Sequence, residues 1–132
     1  MSGRYLLDTN IVIALFAEDA AVMKEIETAS EIFIPSITLG ELYYGAQSSN
    51  RTRKNIDRID NLQIKNAILN CDASTAAQYG TVKMKLKEQG RPIPENDIWI
   101  ASLALQHKLM LVSRDKHFQY VTGLARISWE LA

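Results

Sequence analysis

Cysteine is nearly absent from this sequence, where Cys71 stands alone. It has no partner for an internal disulfide or for a cysteine-rich metal cluster. That usage fits a reducing compartment and leaves packing as the expected role of Cys71. Net charge is absent too, with fifteen basic residues against fifteen acidic ones. No global positive field announces a nucleic-acid partner, although a neutral total is silent about local patches. No apolar run approaches the roughly 18 residues of a membrane helix. Asp8 and Asn10 also break the first apolar run before the hydrophobic region of a signal peptide could form. Internal repeats, low-complexity tracts and linkers are lacking as well. What remains, 47% hydrophobic and 23% charged, has the composition of a soluble globular chain. The length suits one domain over residues 1–132, expected in the cytoplasm.

What is present is a recurring junction between an apolar run and an acid. Tyr5-Leu6-Leu7 reads as a buried strand that runs out at Asp8, and Ile11, Val12, Leu15 and Phe16 resume at helical spacing. A polar turn at Glu18-Asp19 leads to a second helix over residues 20–29. Residues 31–34 read as a second strand stopped by Pro35, with Ser36 placed to cap a helix that runs to about Gln47. A loop at 48–50 opens onto a basic helix whose apolar positions are Ile56, Ile59 and Leu62. Residues 67–71 suggest a short strand, and Asp72 or Ser74 caps a long helix that Gly90 ends. After a proline-stiffened connection at 91–95, Asn96 is expected to cap a helix apolar enough to be mostly buried. A strand at 109–112 ends at Ser113-Arg114-Asp115, and residues 125–129 suggest a last edge strand. The resulting pattern, β-α-α-β-α-α-β-α-α-β-α-β, predicts an α/β fold with a mainly parallel sheet covered by helices on both faces.

Asp8, Glu41, Asp97 and Asp115 lie at four of these junctions. Parallel strands point one way, so Asp8, Glu41 and Asp115 can gather at one edge of the sheet, where open α/β folds place their ligands. Asp97 joins them if its helix starts there. Converging carboxylates repel and are costly to bury unpaired, so such a cluster calls for cations. Hard divalent ions with oxygen ligands, Mg²⁺ or Mn²⁺, meet that need and can activate water against a phosphodiester. Taken singly, each acid has a plainer use. Asp97 suits a helix dipole, Glu41 a capping box with Thr38, Asp8 a turn, and Asp115 a cap. Joint placement after successive strands favours the metal site. The alternative is a non-catalytic α/β module whose acids hold a structural ion or a basic peptide. Aspartate-based phosphotransfer wants a second aspartate two residues after Asp8, where Asn10 stands. Neither His107 nor His117 falls into a serine or cysteine triad pattern.

The motifs Leu7-Asp8-Thr9-Asn10, Pro35-Ser36 with Glu41, Pro94-Glu95-Asn96-Asp97-Ile98-Trp99-Ile100-Ala101 and Val112-Ser113-Arg114-Asp115-Lys116-His117-Phe118 occur here in one order. In that order the chain resembles the PIN-domain family over essentially its whole length, and more narrowly is similar to VapC-type toxins of toxin–antitoxin pairs. The resemblance implies a PIN-like three-layer α/β/α sandwich. It also implies an endoribonuclease dependent on Mg²⁺ or Mn²⁺, one or two ions being held by Asp8, Glu41, Asp97 and Asp115. The first three match the acids that define the family's site. Asp115 matches a more variable fourth, and His117 stands where another acid often follows.

Thr9, Asn10, Ser36, Asn96 and Ser113 are the residues expected to orient those carboxylates or metal-bound water. Affinity for RNA phosphates is expected from basic flanks: Arg51, Arg53, Lys54 and Arg58 on one helix, Lys83, Lys85 and Lys87 on another, and Arg114 beside Asp115. Tyr43, Tyr44 and Tyr79 are candidates to stack on unpaired bases. By the same resemblance the partners are an RNA substrate (tRNA or rRNA loops), a second copy of the chain and a small VapB-type antitoxin lying across the cleft. DNA would be reached only through that antitoxin, and no membrane is involved.

Overall fold

The structure, a computed structural model, describes residues 3–130. Short apolar runs become strands and helical-period runs become helices. In chain order these are β1 (Arg4–Leu7), α1 (Thr9–Phe16), α2 (Ala20–Thr28), β2 (Glu31–Pro35), α3 (Ser36–Gln47), α4 (Thr52–Lys65), β3 (Ala67–Leu69), α5 (Ala73–Glu88), α6 (Glu95–His107), β4 (Met110–Val112), a 3-10 helix (Lys116–Tyr120) and β5 (Arg126–Ile127). The strands form one sheet in the order β3-β2-β1-β4-β5, parallel at every pairing. From β1 the chain moves outward to β2 and β3, then returns to the other side of β1 to lay down β4 and β5. The direction of winding therefore reverses between β1 and β4, and the carboxyl ends of those two strands flank the switch point.

Side chains alternate across a strand, so consecutive residues of β1 serve opposite faces. Leu6 packs with Leu111 of β4, Val82 and Leu86 of α5, and Ile98 and Leu103 of α6. Leu7 packs with Val112 and Ile34 and with Val12, Val22, Leu42 and Ile59 from α1 to α4. Two helical layers thus enclose the sheet, as the α/β/α expectation requires. Leu111 is fully buried in the inner strand β4. Leu111→Ala is expected to cost about 2–5 kcal/mol through lost burial and a residual cavity. The reading is a lower urea midpoint at unchanged slope, and a cost under about 1 kcal/mol would mean that α6 closes over the gap.

Several local expectations need correction. Ser36 and Asn96 are not N-caps. Pro35 and Pro94 occupy those positions in extended backbone, and α3 and α6 begin at the next residue. Each proline fixes its own φ near the value a helix entry tolerates, so α3 starts one residue early and α6 two. The carbonyl of Pro94 accepts from the Asp97 and Ile98 amides, which places Asp97 in the first turn of α6. Asp72 does cap α5, in a reciprocal box with Thr75 rather than through Ser74. Gly90 follows α5 at φ 66, a left-handed turn that glycine makes without strain. β3 and β5 are shorter than residues 67–71 and 125–129, and the segment after Asp115 is a 3-10 turn. Cys71, expected to pack, is exposed beyond the end of β3.

Candidate active site

Asp8 follows the last residue of β1 and is 5% exposed. Its backbone amide continues the ladder by donating to the Val112 carbonyl of β4 at 3.0 Å, so the carboxylate leaves the sheet at the switch point. Ser113, the residue after β4, donates its hydroxyl to Asp8 Oδ2 at 2.6 Å, and Asn10 Nδ2 adds a longer bond to the same oxygen at 3.3 Å. The Ser113 hydroxyl also accepts from the Asp115 amide at 3.0 Å, while Asn10 Oδ1 accepts from the Arg114 amide at 3.3 Å. Two strand ends are thereby stitched into one frame around Asp8.

Burial raises the Asp8 carboxyl above its ordinary range, with smaller pushes from the charges of Glu41 and Asp115, and the Ser113 bond opposes them. Ser113→Ala removes that opposing bond. The Asp8 midpoint is expected to climb further in a carboxyl ¹³C NMR titration, and an unmoved or lower midpoint would mean that the bond is not made in solution.

Glu41 lies in α3 and is exposed. Its Oε1 accepts from the Thr9 hydroxyl at 2.8 Å, and Thr9 Oγ1 also lies 3.2 Å from Thr38 Oγ1. The side chain of Glu41 therefore turns to α1 and the Asp8 end of the sheet rather than to a capping box with Thr38. Asn96 and Thr9 line a recess of about 660 Å³ with Glu41, Ile37, Gly40 and Tyr44. A second hollow at the opposite end of β1 and β4, about 570 Å³ and lined by Tyr5, Met110 and Ala125, contains no acid among its lining residues.

Asp97 joins the group from the first turn of α6. Burial, and after it the negative charges of Asp8, Asp115 and Glu41, push its carboxyl up to about 6. Asp115 caps the 3-10 turn, its Oδ1 accepting the His117 amide at 2.9 Å. His117 Nδ1 lies 2.9 Å from that same Asp115 oxygen and 3.9 Å from Asp97 Oδ2. One ligand atom from each of Asp97, Asp115 and His117 falls within 4.8 Å of the others. All four acids singled out in the sequence bear on one another here, and His117 is an addition to them. The sequence signal for it is its place two residues past Asp115, where another acid often follows in the motif.

The basic candidates divide. The Arg114 guanidinium is held by Asp19 Oδ2 at 3.0 Å and by the carbonyls of Ser128 and Trp129 at 3.4 and 2.8 Å. It fastens the C-terminal segment to the α2 cap and points away from the role expected beside Asp115. Lys83 is bound to Glu95 and to the Tyr79 hydroxyl. Arg53 pairs with Asp57, one turn on. Arg51, Lys54 and Lys87 are exposed. Among the tyrosines, Tyr43 bonds Asp60 and Gln63 of α4, and Tyr79 stacks on Trp99 at 4.1 Å between ring centres. Tyr44, 76% exposed beside Glu41, keeps an open ring.

Oxygen donors in a partly buried, mutually repelling set fit a hard divalent cation, which neutralises what the fold leaves uncompensated. Asp8 and Asp97, both raised by burial and by neighbouring acids, are the clearest sign of that uncompensated charge. Known proteins resemble this chain over nearly its whole length. The PIN domain family matches residues 5–124. Ribonuclease VapC2 of Haemophilus influenzae (strain ATCC 51907 / DSM 11121 / KW20 / Rd) is 36% identical over 129 residues, covering 96% of this chain and 98% of the relative. The tRNA(fMet)-specific endonuclease VapC of Shigella flexneri is 32% identical, covering 96% and 98%. Among solved structures, VapBC2 from Rickettsia felis bound to a DNA fragment from its promoter superposes with a TM-score of 0.89 at 29% identity, covering 96% of this chain and 99% of the other.

Proposed function

We propose, because this chain belongs to the PIN domain family, that it is a divalent-metal-dependent endoribonuclease and the toxin of a toxin–antitoxin pair. The reading is supported most directly by Asp97, whose carboxyl is pushed to about 6 by burial and by three other acids at the switch point of a parallel sheet. Asp8, Glu41, Asp97 and Asp115 would hold one or two ions, Mg²⁺ or Mn²⁺. A bound ion of this kind polarises the phosphate and lowers the pKa of an attacking water.

The chain's own residues do the positioning. Ser113 and Asn10 fix one oxygen of Asp8, and Thr9 fixes one oxygen of Glu41. Each such bond holds a carboxylate in place while leaving its charge for the cation. Phosphates beyond the cleavage point are met by exposed cations on either side. Arg51 precedes α4 and Lys54 lies in its first turn, and α4 shares a recess with Glu41 through Asn55 and Ile59. Lys87 lines a hollow with Glu95 and Ile98, at the start of α6. Tyr44 can stack on an unpaired base beside the site, so the substrate is a single-stranded or loop region, tRNA loops included. The likeness to VapBC complexes supports a VapB-type antitoxin as partner. Ile13, 55% exposed, together with Phe16 and Leu42 offers that antitoxin an apolar recess next to Glu41. We also read residues 1–132 as one domain that pairs with a second copy.

The test is cleavage of a mixed pool of structured RNA by antitoxin-free protein, with EDTA and with Mg²⁺ or Mn²⁺ added back. Cuts that vanish with chelator and return with metal are expected. Metal binding without any cleavage across the pool would favour the non-catalytic module, and cleavage that persists in EDTA would remove the metal from the reading.

A further inference from the structure

His117 extends the acidic cluster with a donor of different chemistry. We infer that its imidazole is a direct ligand, through Nδ1, at a metal position shared with Asp97 and Asp115, and that it tilts this position toward a first-row transition ion over Mg²⁺. The inference rests on the metal-dependent reading above and specifies one part of it.

The geometry carries it. The three ligand atoms lie within 4.8 Å of one another, close to the spread of donors around one cation about 2.0–2.2 Å from each. His117 Nδ1 already sits 2.9 Å from Asp115 Oδ1 and 3.9 Å from Asp97 Oδ2, so a small closure of the cluster suffices. The His117 amide is bonded to that same Asp115 oxygen, which fixes the residue at the start of the 3-10 turn. Phe118, buried next to it, anchors the turn in the core. The ring is half-exposed, so cation and RNA can reach it from the cleft side.

Donor chemistry then separates ions. Mg²⁺ demands hard oxygen ligands in near-ideal octahedral array and keeps its waters, whereas imidazole nitrogen is well matched to transition ions. A position made of two carboxylates and one imidazole therefore favours Mn²⁺, and Co²⁺ more so along the divalent series. The Asp8–Glu41 side of the site, built only from oxygen donors, has no such bias.

The experiment uses Mn²⁺ itself as probe on the purified antitoxin-free chain, without RNA. Electron spin echo modulation of the Mn²⁺-loaded protein is expected to show directly bound ¹⁴N, absent in His117→Gln. By titration calorimetry His117→Gln should weaken Mn²⁺ binding at least about tenfold, with Mg²⁺ changed less than about twofold. His117→Asp should restore affinity while narrowing the Mn²⁺-to-Mg²⁺ ratio, since it returns an all-oxygen set. Mn²⁺ binding with no ¹⁴N coupling, or equal losses for both ions in His117→Gln, would overturn the inference and leave His117 as a group that only orients Asp115. Failure of the native chain to bind either ion would instead count against the metal-dependent reading as a whole.

Discussion

Asp97→Asn is expected to lower RNA cleavage at least about 10³-fold while leaving the fold intact. Asp97 stands in the first turn of α6 with its side chain 15% exposed, and its neighbours are the other acids and His117 rather than a structural cation. The amide has the same shape, so α6 keeps its packing through Ile98 and Leu103. What disappears is one negative charge at the point where Asp8, Asp115 and Glu41 all act. A divalent ion loses a charged ligand there, and with it the field that would stabilise charge on the phosphate in the transition state. Single-turnover cleavage beside far-UV circular dichroism decides the matter. Activity within tenfold of native, or loss of the helical spectrum, would each assign Asp97 a role other than the one argued.

The positions of all four acids could be read in the sequence because each lies just past an apolar run or early in the following helix, and a parallel sheet sends its strand ends one way. The five strands and their helices were legible because short continuous apolar runs alternate along the chain with longer segments bounded by helix caps and stops. Contacts distant in sequence were not. Ser113 reaches Asp8 across 105 positions, and Arg114 reaches Asp19 across 95. Nothing local distinguishes an arginine beside the site that faces phosphate from one that ties down the C-terminal segment. The helix starts failed where a proline precedes a good capping residue. Ser36 and Asn96 satisfy the cap preference, but the extended proline before each already occupies the cap, so both enter the first turn. His117 stands where the motif often has an acid, and the motif alone does not show that a nitrogen donor in that place lies within reach of both Asp97 and Asp115.

Metal-free protein is expected to lose stability as pH rises from about 5 to 7.5. The Asp97 carboxyl sits near 3.8 in the unfolded chain and about 6 in the folded one, so the folded state holds this proton more tightly. Its penalty is absent below about pH 3.8, grows between 3.8 and about 6, and is complete above that, about 3 kcal/mol in full with roughly half of it falling above pH 5. Asp8, also raised, works in the same direction. Asp19, Asp72 and Glu95 are lowered by their hydrogen-bond partners. Their stabilisation is present above their unfolded values of 3.8 to 4.5 and is lost as pH falls through the folded ones, so they dominate only on the acid side. The stability maximum of the metal-free chain therefore falls on the acid side of the Asp97 midpoint, lower than is usual for a protein whose carboxylates are all paired. Thermal scans in EDTA should show the Tm dropping by several degrees from pH 5 to 7.5. Asp97→Asn should flatten most of that drop, because an amide has no proton to lose. Saturating Mn²⁺ should reverse it, since the ion binds the ionised carboxylates of the folded state and stabilises that state by mass action. A Tm that is flat or rising over that range in EDTA would mean that the four carboxylates are already neutralised by groups within the chain, and the case for a cation among them would lose its physical basis.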